Sequence, residues 1–370
     1  MSHVTMTSNI IWIDLYSAQV RHFMKTSCSQ GNTTCKIPIM VLENASGFIF
    51  APSTLDPATG ERVGNWDNID ERIKHITLIP LTILILITNF IVLTFIAANK
   101  KFHTPTYIFV ASLGIADMFV GCVSIVAITT RANEPTQNMC LLRIGFTVAS
   151  VMASMLSLTC IAIDRYIAIT KALTYNLIIT RSRTFLCIIL SWIISLVFGF
   201  SPLMGWNNSY YGQYCSFMYV MTTSYIVVLF IIAAVIPMSL MFFIYITLFM
   251  NAQVHIKRIQ AIENLYVERK NSGLFGISKR NLRSVKTFSA VFGCVVITWL
   301  PFMITTVVQI ICGDSLCFLK DIIGTHLLVL GFSNSFLNPI IYAIGTKDFR
   351  SKVKHLFRSK CCKNGSQIYP

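Results

Sequence analysis

Apolar residues in this chain neither alternate nor recur once per helical turn; they come in long runs. Seven runs, at about 76–98, 106–129, 138–170, 184–204, 219–250, 285–311 and 321–344, are separated by polar segments. Each is roughly 20 residues or longer, enough at about 1.5 Å per residue to cross a hydrocarbon core of about 30 Å. In lipid every backbone N–H and C=O needs an internal partner, and the runs are too long for barrel strands, so the pattern predicts α-helices. Residues 1–75 are rich in Ser, Thr, Asn, Pro and Gly and carry no helical period, which predicts a largely unstructured segment. That segment lacks a clean apolar core behind a charged start, so no cleavable signal peptide is expected and the first run would serve for targeting. In residues 347–370, Phe349, Val353, Leu356 and Phe357 share one helical face with Lys and Arg opposite, the pattern of a short interfacial helix. The expected fold is an all-α membrane protein: seven transmembrane helices over 76–346 and a short amphipathic helix after them.

Composition agrees. Hydrophobic residues make up 54% of the chain and charged ones 12%, about half the charge of a soluble domain. The net charge of +15 is unevenly placed. Lys100, Lys101, Lys171, Arg181 and Arg183 lie in two loops of one side, and Lys257, Arg258, Arg269, Lys270, Lys279, Arg280, Arg283 and Lys286 in the longest loop of that side. Seven further bases follow the last run, whereas the opposite loops carry only Arg131 and Lys320. The positive-inside rule makes the basic side cytoplasmic and residues 1–75 extracellular, as in a multi-pass plasma-membrane protein. Basic charge that flanks membrane helices meets lipid headgroups and gives no footprint for nucleic acid.

Cysteines and sequons follow the same topology. Cys28, Cys35, Cys140, Cys215, Cys312 and Cys317 fall on the oxidising side. So do the glycosylation sequons at Asn32, Asn44 and Asn207. Cys361 and Cys362 end the basic tail behind the amphipathic face, a palmitoylation pattern. Cys28 with Cys35, and Cys312 with Cys317, are each close enough in sequence to close a short loop, which spacing alone does not decide.

The runs carry polar residues where lipid tolerates them least. Asn89 lies in the first, Asp117 in the second, and Asp164-Arg165-Tyr166 ends the third. Trp192 and Pro202 mark the fourth, Pro237 and Tyr245 the fifth, Trp299-Leu300-Pro301 the sixth, and Asn334-Ser335 with Asn338-Pro339-Ile340-Ile341-Tyr342 the seventh. A charge or a proline inside a membrane helix is costly unless it is used or compensated. One signature per run, all in order, resembles the rhodopsin-like (class A) G-protein-coupled receptors over about residues 76–360.

That resemblance implies a ligand cavity opening outward, a mobile sixth helix and a heterotrimeric G protein as partner, with arrestin and receptor kinase as further candidates. It gives switch and coupling roles to Asp164, Arg165, Tyr166, Leu173, Tyr245, Trp299, Pro301, Asn338, Pro339 and Tyr342. Arg165 would exchange Asp164 for Tyr245 and the G protein. The resemblance implies a disulfide between Cys140 and Cys215. It also implies an allosteric sodium ion at Asp117, Ser154, Asn334, Ser335 and Asn338, whose oxygen donors suit a hard cation; no other cofactor is expected. Three departures stand out: Asn281 in place of an acid, Val295 in place of Phe, and Ala172 in place of Pro. The first two predict a loose off-state and measurable basal activity.

Ligand class is read mainly by exclusion. Thr147 stands where amine receptors carry Asp, and Phe332 where an opsin carries its lysine. Arg143, three residues after Cys140, resembles the base of lipid-sensing receptors. The nearest resemblance is to the cannabinoid–lysophospholipid–adenosine group. Thr306 and Phe332 replace the Asn and His that adenosine receptors use. Candidate ligand residues are Arg143, Thr147, Val148, Val151, Phe217, Phe230, Met303, Thr306 and Phe332, mostly apolar walls suited to an acyl chain. A peptide or adenosine-like receptor of the same fold is the alternative, and a transporter or channel a remote one. No nucleophile–base pair or metal cluster points to an enzyme.

Overall fold

The computed structural model describes residues 37–42, 48–53, 66–130, 136–208, 215–265, 273–313 and 318–345. Asn32, Asn44, Cys28, Cys35, Cys317, Cys361, Cys362 and the expected amphipathic helix in 347–370 lie outside those residues. Two compact units make up the chain: residues 1–72 with 301–327, and residues 73–300 with 328–370.

The helices are α1 (Trp66–Ala98), α2 (Pro105–Thr130), α3 (Gln137–Thr170), α4 (Arg181–Phe200), α5 (223–265), α6 (Gly273–Cys312) and α7 (318–345). Six of them contain long, apolar spans. The seventh run is there too, but a π turn at Ile323–Leu327 splits it into Phe318–Ile322 and Leu328–Gly345. Helix ends depart from hydropathy most where the chain leaves lipid. α1 starts ten residues before the apolar run, at Trp66, since a helix outside lipid need not be apolar. α5 likewise continues to Leu265.

In the larger unit, α1 buries Thr82, Ile85, Asn89, Val92 and Ile96, spaced three and four apart, and exposes Ile83, Leu84, Ile87, Phe90 and Ile91. One stripe thus faces protein and the rest faces lipid. α3 is central: 67% of its most apolar window is buried, against 22% for α1 and α4. Thr136 caps it by accepting from the Met139 N–H. α3 crosses α4 at two glycines. A Cβ on Gly199 would stand 2.5 Å from Gly145 O and 2.8 Å from Ala149 Cβ, so only side-chain-free positions allow this backbone approach.

Prolines shape the helices by withholding an N–H. Pro202 releases the Phe198 carbonyl, which accepts from the Tyr225 hydroxyl at 3.0 Å and from Ser201 Oγ at 3.0 Å. That stitches α4 to the start of α5. Gly205, at φ 105°, then turns the chain. In α5 a π turn at Ile231–Val235 precedes Pro237, and the Ile236 N–H bonds five residues back to Ile231 O. The wider turn accommodates the missing donor.

In the other unit, β1 (Ile37–Leu42) and β2 (Phe48–Ser53) pair antiparallel, from Ile37 opposite Ser53 to Leu42 opposite Phe48. The expectation for residues 1–75 did not include this hairpin. Ile37, Ile39 and Val41 in one strand and Phe48, Ile49 and Phe50 in the other are β-formers, a local signal hidden by the segment's average composition. In the same unit Gly313, at φ 57°, ends α6, and Gln309 Nε2 donates to its carbonyl at 2.7 Å.

Candidate functional site

Asp117 has no exposed surface. Ser154 Oγ donates to its Oδ1 at 2.9 Å and Asn338 Nδ2 to its Oδ2 at 3.2 Å. The Ser335 hydroxyl also bonds to it. Pro339 leaves the Ser335 carbonyl without its helical donor. Asn89 Nδ2 fills that role at 3.0 Å while also donating to Ile85 O at 2.9 Å. α1, α2, α3 and α7 are thereby joined around one carboxylate. The Oδ1 atoms of Asn334 and Asn338 are buried with no hydrogen-bond partner among the described residues. Orphaned acceptors beside a buried carboxylate make an all-oxygen donor set that fits a hard cation such as sodium. Among the described residues no group of three or more His, Cys, Asp or Glu offers a softer site.

Toward the Asp164 end, Trp299 is buried, its ring against Gly331. A Cβ there would lie 2.9 Å from the ring's Cη2. Pro301 follows within α6. Tyr245 stacks on Phe292 with ring centroids 5.5 Å apart, and Tyr342 is buried. A small apolar gap is lined by Leu158, Ile161, Met241, Tyr245, Val291, Phe292 and Val295.

Asp164 is wholly buried. It accepts from Arg165 Nε at 3.0 Å, Thr106 Oγ1 at 2.7 Å and the Tyr175 hydroxyl at 2.7 Å. Arg165 also donates to Thr106. Burial, with the bond to Asp164 behind it, pushes the Tyr175 phenol up to about 12, so it stays a donor at any physiological pH. Tyr175 opens a short helix, Tyr175–Ile178, whose last carbonyls accept from Arg183 Nη1 at 3.0 Å (Leu177) and 2.9 Å (Ile178). Leu173, next to that helix, is 100% exposed, and Tyr166 is half-buried. Sequence reading missed Thr106 and Tyr175. They stand 58 and 11 residues from Asp164 and carry no motif of their own.

At the Cys140 end, the expected disulfide joins Cys140 and Cys215 with Cα atoms 5.7 Å apart. Arg143 Nη2 donates to Cys215 O at 3.2 Å, so the guanidinium turns to the loop that the disulfide holds. Thr147 Oγ1 is spent on the Arg143 carbonyl at 2.9 Å. Asn207 belongs to a bracket: its Nδ2 donates to Pro202 O at 2.7 Å and its Oδ1 accepts from Gln137 Nε2 at 3.0 Å. Val151 and Phe332 do come together, packed with Ile85, Val120 and Phe336 rather than on an open wall. Val148, Phe217 and Phe230 are half-buried on three separate elements. Met303 and Thr306 belong to the unit that holds 301–327. There Thr306 Oγ1 bonds to Phe302 O at 2.7 Å, and both residues are buried.

Residues 88–342 match the model of the 7 transmembrane receptor (rhodopsin family). The glucose-dependent insulinotropic receptor of Rattus norvegicus is 30% identical over 295 residues, 76% of this chain and 61% of that receptor. The Homo sapiens receptor of that name is 30% identical over 67% of this chain and 75% of its own length. The adenosine receptor A2a of Canis lupus familiaris is 29% identical over 76% of this chain and 71% of its own length. The family match takes in the Asp117 cluster, the Asp164–Arg165 pair, Trp299 and Tyr342, so this chain belongs to the rhodopsin-like (class A) G-protein-coupled receptors, a membrane-spanning signalling receptor and not an enzyme.

Proposed function

We propose that this receptor takes a small lipid-like ligand at the Cys140 end and responds by opening the Asp164 end to a heterotrimeric G protein. The N-terminus is then extracellular and the C-terminus cytoplasmic, a reading that the charge distribution supports. Arg165 holding Asp164 is the off arrangement, and release of that pair frees the arginine for Tyr245 and the G protein. Leu173, fully exposed, offers an apolar plug. Arrestin and a receptor kinase are further partners of the opened face. Asp117, Ser154, Asn334, Ser335 and Asn338 would hold a sodium ion. When bound, it neutralises the carboxylate and favours the off packing; the side chains themselves tie α2 and α3 to α7.

The observation that carries the lipid reading is the chemistry of the candidate ligand residues. Val148, Val151, Phe230 and Phe332 of the larger unit offer hydrocarbon, and Arg143 of that unit supplies a base; Met303 is apolar too. An adenosine-like ligand is the second reading, favoured by the A2a similarity but opposed by Thr306 and Phe332, which lack the polar edges a nucleobase needs. Arg143 acts through the loop it clamps at Cys215. Asn32 and Asn44 are better glycan acceptors than Asn207, whose amide nitrogen is engaged; Cys361 and Cys362 carry palmitate.

The test is a panel of lysophospholipids, fatty-acid amides, nucleosides and short peptides, read by G-protein dissociation with wild type and Arg143→Ala. We expect lipids alone to activate wild type. In the variant, charged and neutral lipids should lose potency together, by roughly tenfold or more for a charge-assisted hydrogen bond. Activation by nucleosides or peptides but not by lipids would overturn the lipid reading. Potency lost only for anionic lipids would instead put Arg143 on the headgroup.

A further inference from the structure

Within the larger unit two glycines of α7 lie against α6 side chains: Gly331 against Trp299 and Gly345 against Thr287. The second contact lies at the Asp164 end and no motif covers it. A Cβ built on Gly345 would stand 2.7 Å from Thr287 Cβ and closer still to its Oγ1 and Cγ2. Carbon atoms pack at about 3.5–4.0 Å. Thr287 is buried and β-branched, so its side chain cannot swing clear as a long flexible one would. Relief has to come from the α6 backbone, moving by about 1 Å to restore an ordinary contact.

Thr287 lies twelve residues before Trp299 on α6, about 18 Å along the helix. It is thus near the free end of the segment that swings if the sixth helix opens the G-protein face, a reading on which this inference rests. A wedge there acts in the opening direction. Gly345 closes α7 without a positive φ, so alanine fits its backbone and the substitution acts on the contact with α6.

We propose that Gly345 is a positioning residue for G-protein coupling: its missing side chain lets α7 hold α6 closed at Thr287, and any Cβ at position 345 pries α6 toward the open packing. Full-length receptor in nanodiscs is assayed without ligand for nucleotide exchange on Gα. Gly345→Ala should raise basal exchange several-fold over wild type. Thr287→Gly alone loses the contact without adding a wedge, so it should raise exchange less than Gly345→Ala does. The double variant Gly345→Ala with Thr287→Gly should bring it back down to the level of Thr287→Gly alone, since the colliding side chain is gone. Basal exchange unchanged in Gly345→Ala, or raised but not reversed in the double variant, overturns the proposal while a ligand response in wild type leaves the receptor reading intact. Should Gly345→Ala not fold, recovery of folded receptor in the double variant supports the collision, and no recovery overturns it. Exchange absent in every variant and with every ligand removes the receptor reading and the latch with it.

Discussion

Asp117 shows how one residue ties sequence to function. A carboxylate in lipid needs donors, and its donors come from Ser154, Ser335 and Asn338 on two other helices. The Oδ1 atoms of Asn334 and Asn338, unpartnered among the described residues, add two acceptors that the proposed cation would use. Asp117→Asn keeps the shape and removes the charge. We expect sodium, compared with N-methylglucamine at equal ionic strength, to raise the apparent melting temperature of wild type and leave the variant unchanged. An equal sodium effect in both would reject the site. These residues were legible because a polar group inside an apolar run announces itself. Arg143 was legible as a charge but not as a loop clamp, because its acceptor is the backbone carbonyl of Cys215, and backbone carbonyls leave no mark in sequence.

Elements carry a different kind of information. Hydropathy located the interior of every helix, because lipid demands it, but not where α1 begins or α5 ends, since water imposes no such demand. The π turns in α5 and α7 were also invisible: nothing in Ile-Ile-Ala-Ala-Val sets it apart from regular helix. Prolines were visible, but what answers their freed carbonyls was not. Asn89 serves Pro339 and Tyr225 serves Pro202, each from another helix. The α3–α4 crossing makes a sharp claim at this scale. Gly199→Val forces a side chain onto Gly145 O and Ala149, overpacking that costs about 1–3 kcal/mol. Purified receptor should show a lower apparent melting temperature. Val197→Leu, two residues away on the lipid face and 61% exposed, should melt with wild type. Equal melting of Gly199→Val and wild type would mean the backbones are not in contact.

On the scale of the whole molecule, a receptor of this family has a ligand end and a coupling end, and must have two packings that a ligand can bias. Motif order across all seven runs made the family legible. The hairpin near the N-terminus was not, because twelve paired residues are diluted by a long polar segment. Ligand class is the least legible property, since apolar walls accept many molecules. Asp164 is held by Arg165, Thr106 and Tyr175, and on the proposed reading that network is the packing a ligand has to break.

The most direct measurement of that two-state account is Gα nucleotide exchange driven by the purified receptor in nanodiscs, with and without lysophospholipid or fatty-acid amide, across the Gα classes. The account predicts low but measurable exchange without ligand and acceleration by at least one lipid on at least one Gα. Exchange that never rises above receptor-free nanodiscs, with any ligand and any Gα, would contradict it.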